Sequence, residues 1–201
     1  MLSAARTIVA SLALIGLSGC GSEFLVDYTP VSSETSRAWT VKAIHVDVPE
    51  TLEVNRINVV IPQEDIVWYG DGEGDKRVQV AAILKEGLAQ GSKGLRGPVP
   101  VVFDVELIRF HALTPKAFHV APDGTGVESV RFKIEVRDAR TNTVLVPEQI
   151  VASDGRALTA VNGGTLGSGE RLRIVNKIAE TTRGWLGTGP DNRGEFWRMG
   201  R

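Results

Sequence analysis

Few residues of this 201-residue chain stand in patterns that do chemistry, and each pattern breaks at a residue the chemistry needs. Gly164-Thr165-Leu166-Gly167-Ser168-Gly169 has the glycine spacing of a phosphate-binding loop ahead of a helix. Such a loop needs a lysine after its last glycine to balance phosphate charge, then Ser or Thr for magnesium. Glu170 and Arg171 stand there instead, and Glu170 would repel phosphate, so the stretch reads as a loop leading into a helix. Asp71, Glu73 and Asp75 alternate as a calcium loop begins, but its sixth position is Lys76 rather than Gly and its twelfth is Ala82 rather than a carboxylate. An acidic turn with Asp75 as helix cap explains it better. His45, His111 and His119 are scattered, without the tight spacing of a metal site. No Ser lies in a Gly-x-Ser-x-Gly elbow. Asp104 and Glu106 share a strand face on which Arg131 and Lys133 are expected opposite, as cross-strand ion pairs. The expectation is a protein that is not an enzyme, with no cofactor and no metal site.

One residue remains with a chemical use. Cys20 is the only cysteine, and it follows an apolar run from Ile8 to Leu17 that is preceded by Arg6. A basic start, a short greasy middle and small residues before a break form the layout of an export signal, too short to span a bilayer stably. Leu17-Ser18-Gly19-Cys20 resembles the bacterial lipobox. That resemblance implies cleavage before Cys20, a diacylglyceryl thioether on its sulfur and acylation of its freed amine. Each buried methylene adds about 0.8 kcal/mol, so several long chains anchor where one would not. The alternative is an ordinary secretory signal followed by a free cysteine. With the thiol lipidated, no disulfide can form within the chain, and the fold must hold by its own core. Gly21 stands where Asp favours inner-membrane retention in typical Gram-negative lipoproteins, so the resemblance leans towards the outer membrane, periplasmic face, with the inner membrane as the other possibility.

Lys plus Arg total 23 against 24 Asp plus Glu, so no net charge recruits nucleic acid. About 180 residues follow the signal, a size that suggests one domain. The expected organisation is a signal peptide over 1–19, a lipidated cysteine and flexible tether over 20–38, a domain over 39–187 and a flexible Gly-rich tail over 188–201. The tether, rich in Ser, Thr and small residues, has no sustained period; Phe24, Leu25 and Tyr28 within it either dock on the domain or dip into headgroups, with docking preferred.

Within the domain, residues 39–48 read as a strand closed by Pro49, residues 57–61 as a less certain extended stretch and 65–68 as a short strand. Trp39 and Trp68 are core candidates. Val80, Ile83, Leu84, Gly87 and Leu88 recur on one face of a helix, where Gly87 signals close approach of a neighbour and Gly91 and Gly94 mark the end. Val101, Phe103, Val105 and Leu107 alternate, and the phase slips after Leu107 as at a bulge. Val130, Phe132, Ile134 and Val136 point inward, with Arg131, Lys133, Glu135 and Arg137 outward. Residues 144–152 contain Pro147 and read as an edge strand, and 157–161 as a last short strand. A second helix is expected with Ser168 as cap and Leu172, Val175, Ala179, Thr182 and Leu186 on its buried face, Ile178 and Trp185 beside them. The basic stripe of Arg131, Lys133, Arg137 and Arg140 reads as a solvated sheet face.

These elements predict an α+β two-layer sandwich, mainly antiparallel, with two helices on one face in the order β-α-β-β-β-α. The lipobox and that order resemble the small uncharacterised lipoprotein family of Gram-negative envelopes, and more loosely the auxiliary lipoproteins of envelope ABC transporters. The resemblance implies a lipid-anchored, non-enzymatic accessory subunit that binds an envelope protein partner. The edge at 144–152 and the aromatic pair Phe196 and Trp197 are the surfaces expected to serve. The alternative is a small-ligand or lipid-binding module, which needs a cavity lined by Ile83, Leu84, Leu107 and Ile178.

Overall fold

The computed structural model describes residues 23–199; Cys20 and the stretch expected to be an export signal lie outside that range. The predicted core order is present as β2 (Trp39–Asp47), α2 (Lys76–Ser92), β4 (Val99–His111), β5 (Val127–Asp138), β6 (Val144–Ser153) and α4 (Ser168–Trp185). Around it stand β1 (Glu23–Asp27), α1 (Ser33–Arg37), β3 (Ile66–Val67), α3 (Pro115–Val120), β7 (Gly155–Arg156) and β8 (Trp197–Met199). Among the described residues the strands make one open sheet of order β2-β4-β5-β6-β1-β8, with β3 paired to β4 and β7 to β5. β4, β5, β6, β1 and β8 run antiparallel in turn. β2 and β4 are parallel, because α2 intervenes as a crossover between them.

The alternation read from the sequence sets the faces. Val101, Phe103, Val105 and Leu107 of β4 and Val130, Phe132, Ile134 and Val136 of β5 are buried beneath the helices. The register shifts between Leu107 and Arg109, so that Phe110 also turns into the core. On the opposite face Glu106 stands directly across from Lys133 at 2.9 Å, and Arg137 reaches Asp104 at 3.5 Å.

Asp75 starts α2, its Oδ1 accepting from the Arg77 amide at 2.8 Å. The helix then runs through Gly91 instead of ending there. Gly87 and Gly91, one turn apart, face Ile178 and Thr182, one turn apart on α4. A Cβ on Gly87 would stand 2.6 Å from the Ile178 Cβ, and one on Gly91 2.5 Å from the Thr182 Cβ. Ile83, Leu84, Leu107 and Ile178 are all buried, and Ile178 fills the space at the crossing of the two helices. Trp39, Trp68 and Trp185 are buried too, Trp185 edge-on to Phe103 at 5.6 Å.

Several expectations are corrected. Gly167 caps α4 with φ 70°, and Ser168 is already helical. The buried face is centred on Ile174, Ile178 and Trp185, which turns Leu172 out to 59 % exposure. Residues 57–61 form a loop with no strand, and Ala160–Asn162 is a 3₁₀ turn, β7 having ended at Arg156. The largest difference concerns the two segments expected to be flexible. From Glu23 onward the supposed tether is part of the fold, and the supposed tail contributes β8. Val26, Tyr28 and Val31 are buried, and the Val31 amide donates to the Trp185 carbonyl at 2.8 Å. Gly194 N donates to Val26 O at 2.9 Å, and the Tyr28 hydroxyl donates to Asn192 Oδ1 at 2.9 Å. Each segment supplies one short strand or anchor whose partner is at the other end of the chain, so neither shows a period of its own.

Substituting Gly87 or Gly91 by Ala tests the helix crossing. The gain in helix propensity is about 1 kcal/mol, and overpacking costs about 1–3 kcal/mol. With backbone oxygens as well as side chains in the way, overpacking wins. Both variants are expected to unfold at lower urea concentration than wild type with unchanged slope, read by far-UV circular dichroism.

Candidate functional site

Three kinds of place in the fold are candidates: buried charges, unpaired sheet edges, and exposed apolar side chains. The buried charges lie on both faces of one end of the sheet. On the helix face, Glu128 of β5 and Glu170 of α4 are both buried, with the half-buried Arg173 of α4 beside them. Arg173 Nη2 stands 3.4 Å from Glu128 Oε1, and Glu170 Oε1 accepts from the Leu113 amide at 3.1 Å. Glu170 Oε2 has no protein partner. Burial pushes the Glu128 carboxyl up to about 8, opposed by Arg173 and assisted by Glu170. Burial likewise pushes Glu170 up to about 7, opposed by the Leu113 amide and Arg173.

On the other face, Arg131 holds the buried Asp154 at 2.7 Å, and Asp154 Oδ2 also accepts from the Leu25 amide at 3.2 Å. Burial raises the Asp154 pKa, and Arg131 opposes the rise. His111 is lowered to about 4, first by burial and then by the Arg109 charge. Arg109 Nη2 donates to His111 Nδ1 at 3.1 Å, which makes Nδ1 the acceptor and leaves Nε2–H to donate to the Glu64 carbonyl. Both ring nitrogens are thereby occupied, and His111 is a structural histidine.

The remaining sequence candidates are dispersed. His45 is exposed and pairs with Asp104 at 2.9 Å, and His119 lies edge-on to Phe118 in α3. Among the described residues no group of three His, Cys, Asp or Glu could hold a metal. Asp71 accepts from the Trp68 indole at 3.2 Å while Asp75 caps α2, so the acidic turn is spent within the fold. In the glycine loop before α4, Glu170 turns its carboxyl into the protein. The basic stripe is neutralised at Arg131 by Asp154, at Lys133 by Glu106 and at Arg137 by Glu135 and Asp104.

Sequence reasoning missed Glu128, Asp154 and Glu170 as buried groups, although the signal was present. Glu128 continues the inward series Val130, Phe132, Ile134 backwards by two. Glu170 precedes Ile174 and Ile178 at helical spacing.

The sheet edges offer the surfaces. β6 is paired to β5 on one side, but β1 covers its other side only at Ala152 and Ser153. The stretch 144–150 is therefore an open edge, with Val144, Leu145 and Ile150 exposed and Pro147 within it. At the far end of the sheet, β2 borders a recess of about 510 Å³ against α2, lined by Lys42, Lys85, Lys93 and Arg96 among others. Trp197 and Met199 on β8 are 60 % and 59 % exposed, and Phe196 is half-buried.

The fold and these surfaces define a single-sheet α+β domain closed by its own two ends. Its sequence belongs to a family of unknown function, DUF6778, whose model matches residues 39–201. No curated protein matches the sequence. Similar solved structures include a candidate lipoprotein from Caulobacter crescentus CB15, 12 % identical, covering 78 % of this chain and 92 % of that one at a TM-score of 0.31, and a dodecameric variant of PelC from Paraburkholderia phytofirmans, 14 % identical, covering 81 % of this chain and 95 % of that one at 0.33. No helix among the described residues is long and apolar enough to cross a membrane.

The buried glutamates make a pH prediction. Their folded pKa values lie above the unfolded ones, so their contribution to stability is full below pH ~4.5 and is lost as pH rises through about 7 and 8. Glu128→Gln keeps the neutral form at every pH. Relative to wild type, its urea midpoint is expected to rise between pH 5 and pH 8.5; a constant difference would show that Glu128 is not protonated in the fold.

Proposed function

We propose that this protein is a lipid-anchored, periplasm-facing accessory lipoprotein that works by binding a protein partner and not by catalysis. Support for the anchor is Leu17 to Cys20, and Gly21 favours the outer membrane. The observation that carries the binding role is the open edge of β6 over residues 144–150. An unpaired strand edge offers a row of backbone donors and acceptors to another chain, and natural proteins shield such edges with charge, bulges or cover. Here Pro147 removes one donor, while Val144, Leu145 and Ile150 add apolar surface beside the rest. Strand addition uses that combination, with main-chain bonds for affinity and alternate side chains for choice of partner.

Small-ligand binding draws no support from the helix–sheet interface, where Ile83, Leu84, Leu107 and Ile178 pack without a cavity of their own. The buried carboxylates likewise turn to protein donors, Glu128 to Arg173, Asp154 to Arg131 and Glu170 to the Leu113 amide, instead of lining a recess. The partner belongs to an envelope assembly or transport system in this reading.

A photo-crosslinking residue placed at Leu145 or Ile150 of the full chain, in the cells that make it, is expected to form one discrete protein adduct. Leu145→Asp should weaken co-purification of that partner about 10-fold, the size of a single interface anchor. Adducts from Lys42 on β2 but none from the β6 edge would move the partner surface to the opposite end of the sheet. No adduct from either edge would remove the reading.

A further inference from the structure

The β1–β8 ribbon has two unlike faces. Its register pairs Glu23 with Met199, Phe24 with Arg198 and Leu25 with Trp197. Residues directly opposite share a face, and successive residues alternate. Phe24 and Arg198 therefore lie on one face, and Glu23, Leu25, Trp197 and Met199 on the other. The first face turns to the body of the domain: the Arg109 guanidinium sits 5.7 Å from the Phe24 ring centroid, and Arg198 donates to the Thr125 carbonyl. The second face turns out, which is why Trp197 and Met199 are more than half exposed at the edge of the sheet. The indole N–H of Trp197 donates to the Glu23 carboxylate, so its polar atom is satisfied on the protein side and the ring is what it presents outward.

The position of this face along the chain gives it an occupant. Glu23 is the third residue after Cys20. Three residues span at most ~10 Å even when fully extended, and the headgroup layer of a leaflet is about 5–8 Å thick. The geometry points to the outward face of the β1–β8 ribbon as a contact with the phospholipid headgroup layer, Trp197 and Met199 lying at the depth where aromatic and long apolar side chains settle. The inference rests on lipidation of Cys20. With the acyl chains of Cys20 in the leaflet, Glu23 lies within the headgroup layer or at most ~5 Å beyond it, and its cross-strand partner Met199 stands beside it. A second copy of the chain or a protein covering this face are the competing occupants.

The ribbon contact also fixes which way the domain points. β8 and β2 are the two ends of the sheet order, so a bilayer at β8 leaves β2 and its basic recess on the side turned away.

The test uses the full lipidated protein in phosphatidylethanolamine–phosphatidylglycerol vesicles, with and without a phosphatidylcholine brominated near the top of its acyl chains. Trp39, Trp68 and Trp185 are at most 2 % exposed and sit in the core, so Trp197 is the reporter. Bromolipid is expected to quench part of the tryptophan emission, and Trp197→Phe to remove most of that quench while the protein still floats with the vesicles. Flotation without quenching, or a quench unchanged in Trp197→Phe, would overturn the contact and leave the anchor standing. A stable dimer on the vesicles whose Trp197 escapes bromine would give the face to a second copy. Failure to float would overturn the anchored reading, and this inference with it.

Discussion

The closeness of α2 to α4 is the constraint from which most of the structure follows. Two glycines on α2 put bare backbone against Ile178 and Thr182, so at the crossing only α4 places side chains between the helices. Glycine in a helix costs about 1 kcal/mol each relative to alanine, and the sequence carries two such costs on one face. What offsets them is the depth to which both helices then sink onto the sheet. Val80, Ile83, Leu84 and Leu88 from α2 and Ile174, Val175 and Ile178 from α4 all become inaccessible to water. Fully burying one such side chain contributes about 1.5–3 kcal/mol, so a few of them outweigh the propensity loss.

The same crossing decides where the charges go. With α4 held down by Ile178 and Trp185, its first turn is pressed against the end of the sheet, and Glu170 and Arg173 meet Glu128 there. Buried charges are poor sources of net stability, but removing one partner leaves the others uncompensated. Arg173 faces two carboxyl groups with one positive charge, and protonation of the glutamates relieves the imbalance. On the opposite face Asp154 solves a different problem. It accepts from Arg131 and from the Leu25 amide, which ties β1 to the sheet where only two residues of β6 are available to pair with it.

The sequence made legible what is local and periodic. The alternation of β5, the face of α2, the Asp75 cap, the bulge after Leu107 and the need for a neighbour at Gly87 all follow from spacing, and the fold class follows from their order. The face of α4 differs from the expected one at Leu172, because the buried side of the helix near its start is occupied by Glu170 and Ile174, and a buried glutamate there gives no apolar signal. The ends of the chain were illegible for a plainer reason. β1 has five residues and β8 three, too few for a period, and each is a strand only through partners far along the chain, β1 with β6 and β8, and β8 with β1. Ser, Thr and Gly in these segments describe their turns correctly and say nothing of the pairing. Of the candidate surfaces, the edge at Pro147 was readable, while the exposure of Trp197 depends on a partner strand 172 residues earlier, at Leu25.

That pairing changes what kind of object an anchored version of this chain would be. A flexible tether of some eighteen residues would let a domain turn freely over the membrane, and any edge strand would sample all directions. A chain that enters its sheet at the third residue after an acylated cysteine would lose that freedom. Orientation then becomes a property of the fold, set by Tyr28 on Asn192, by the Val31 amide on Trp185 and by the short ribbon of β1 with β8. The first and third of these join the N-terminal residues to the C-terminal segment and the second joins them to the end of α4, so all three are lost if the N-terminal residues unfold. An accessory subunit held this way presents the same edge to its partner at every encounter, which lowers the orientational cost of docking two specific patches. In such an anchored protein the stability of the terminal segments and the use of the edge would be coupled, although the residues that secure the one are not the residues that form the other.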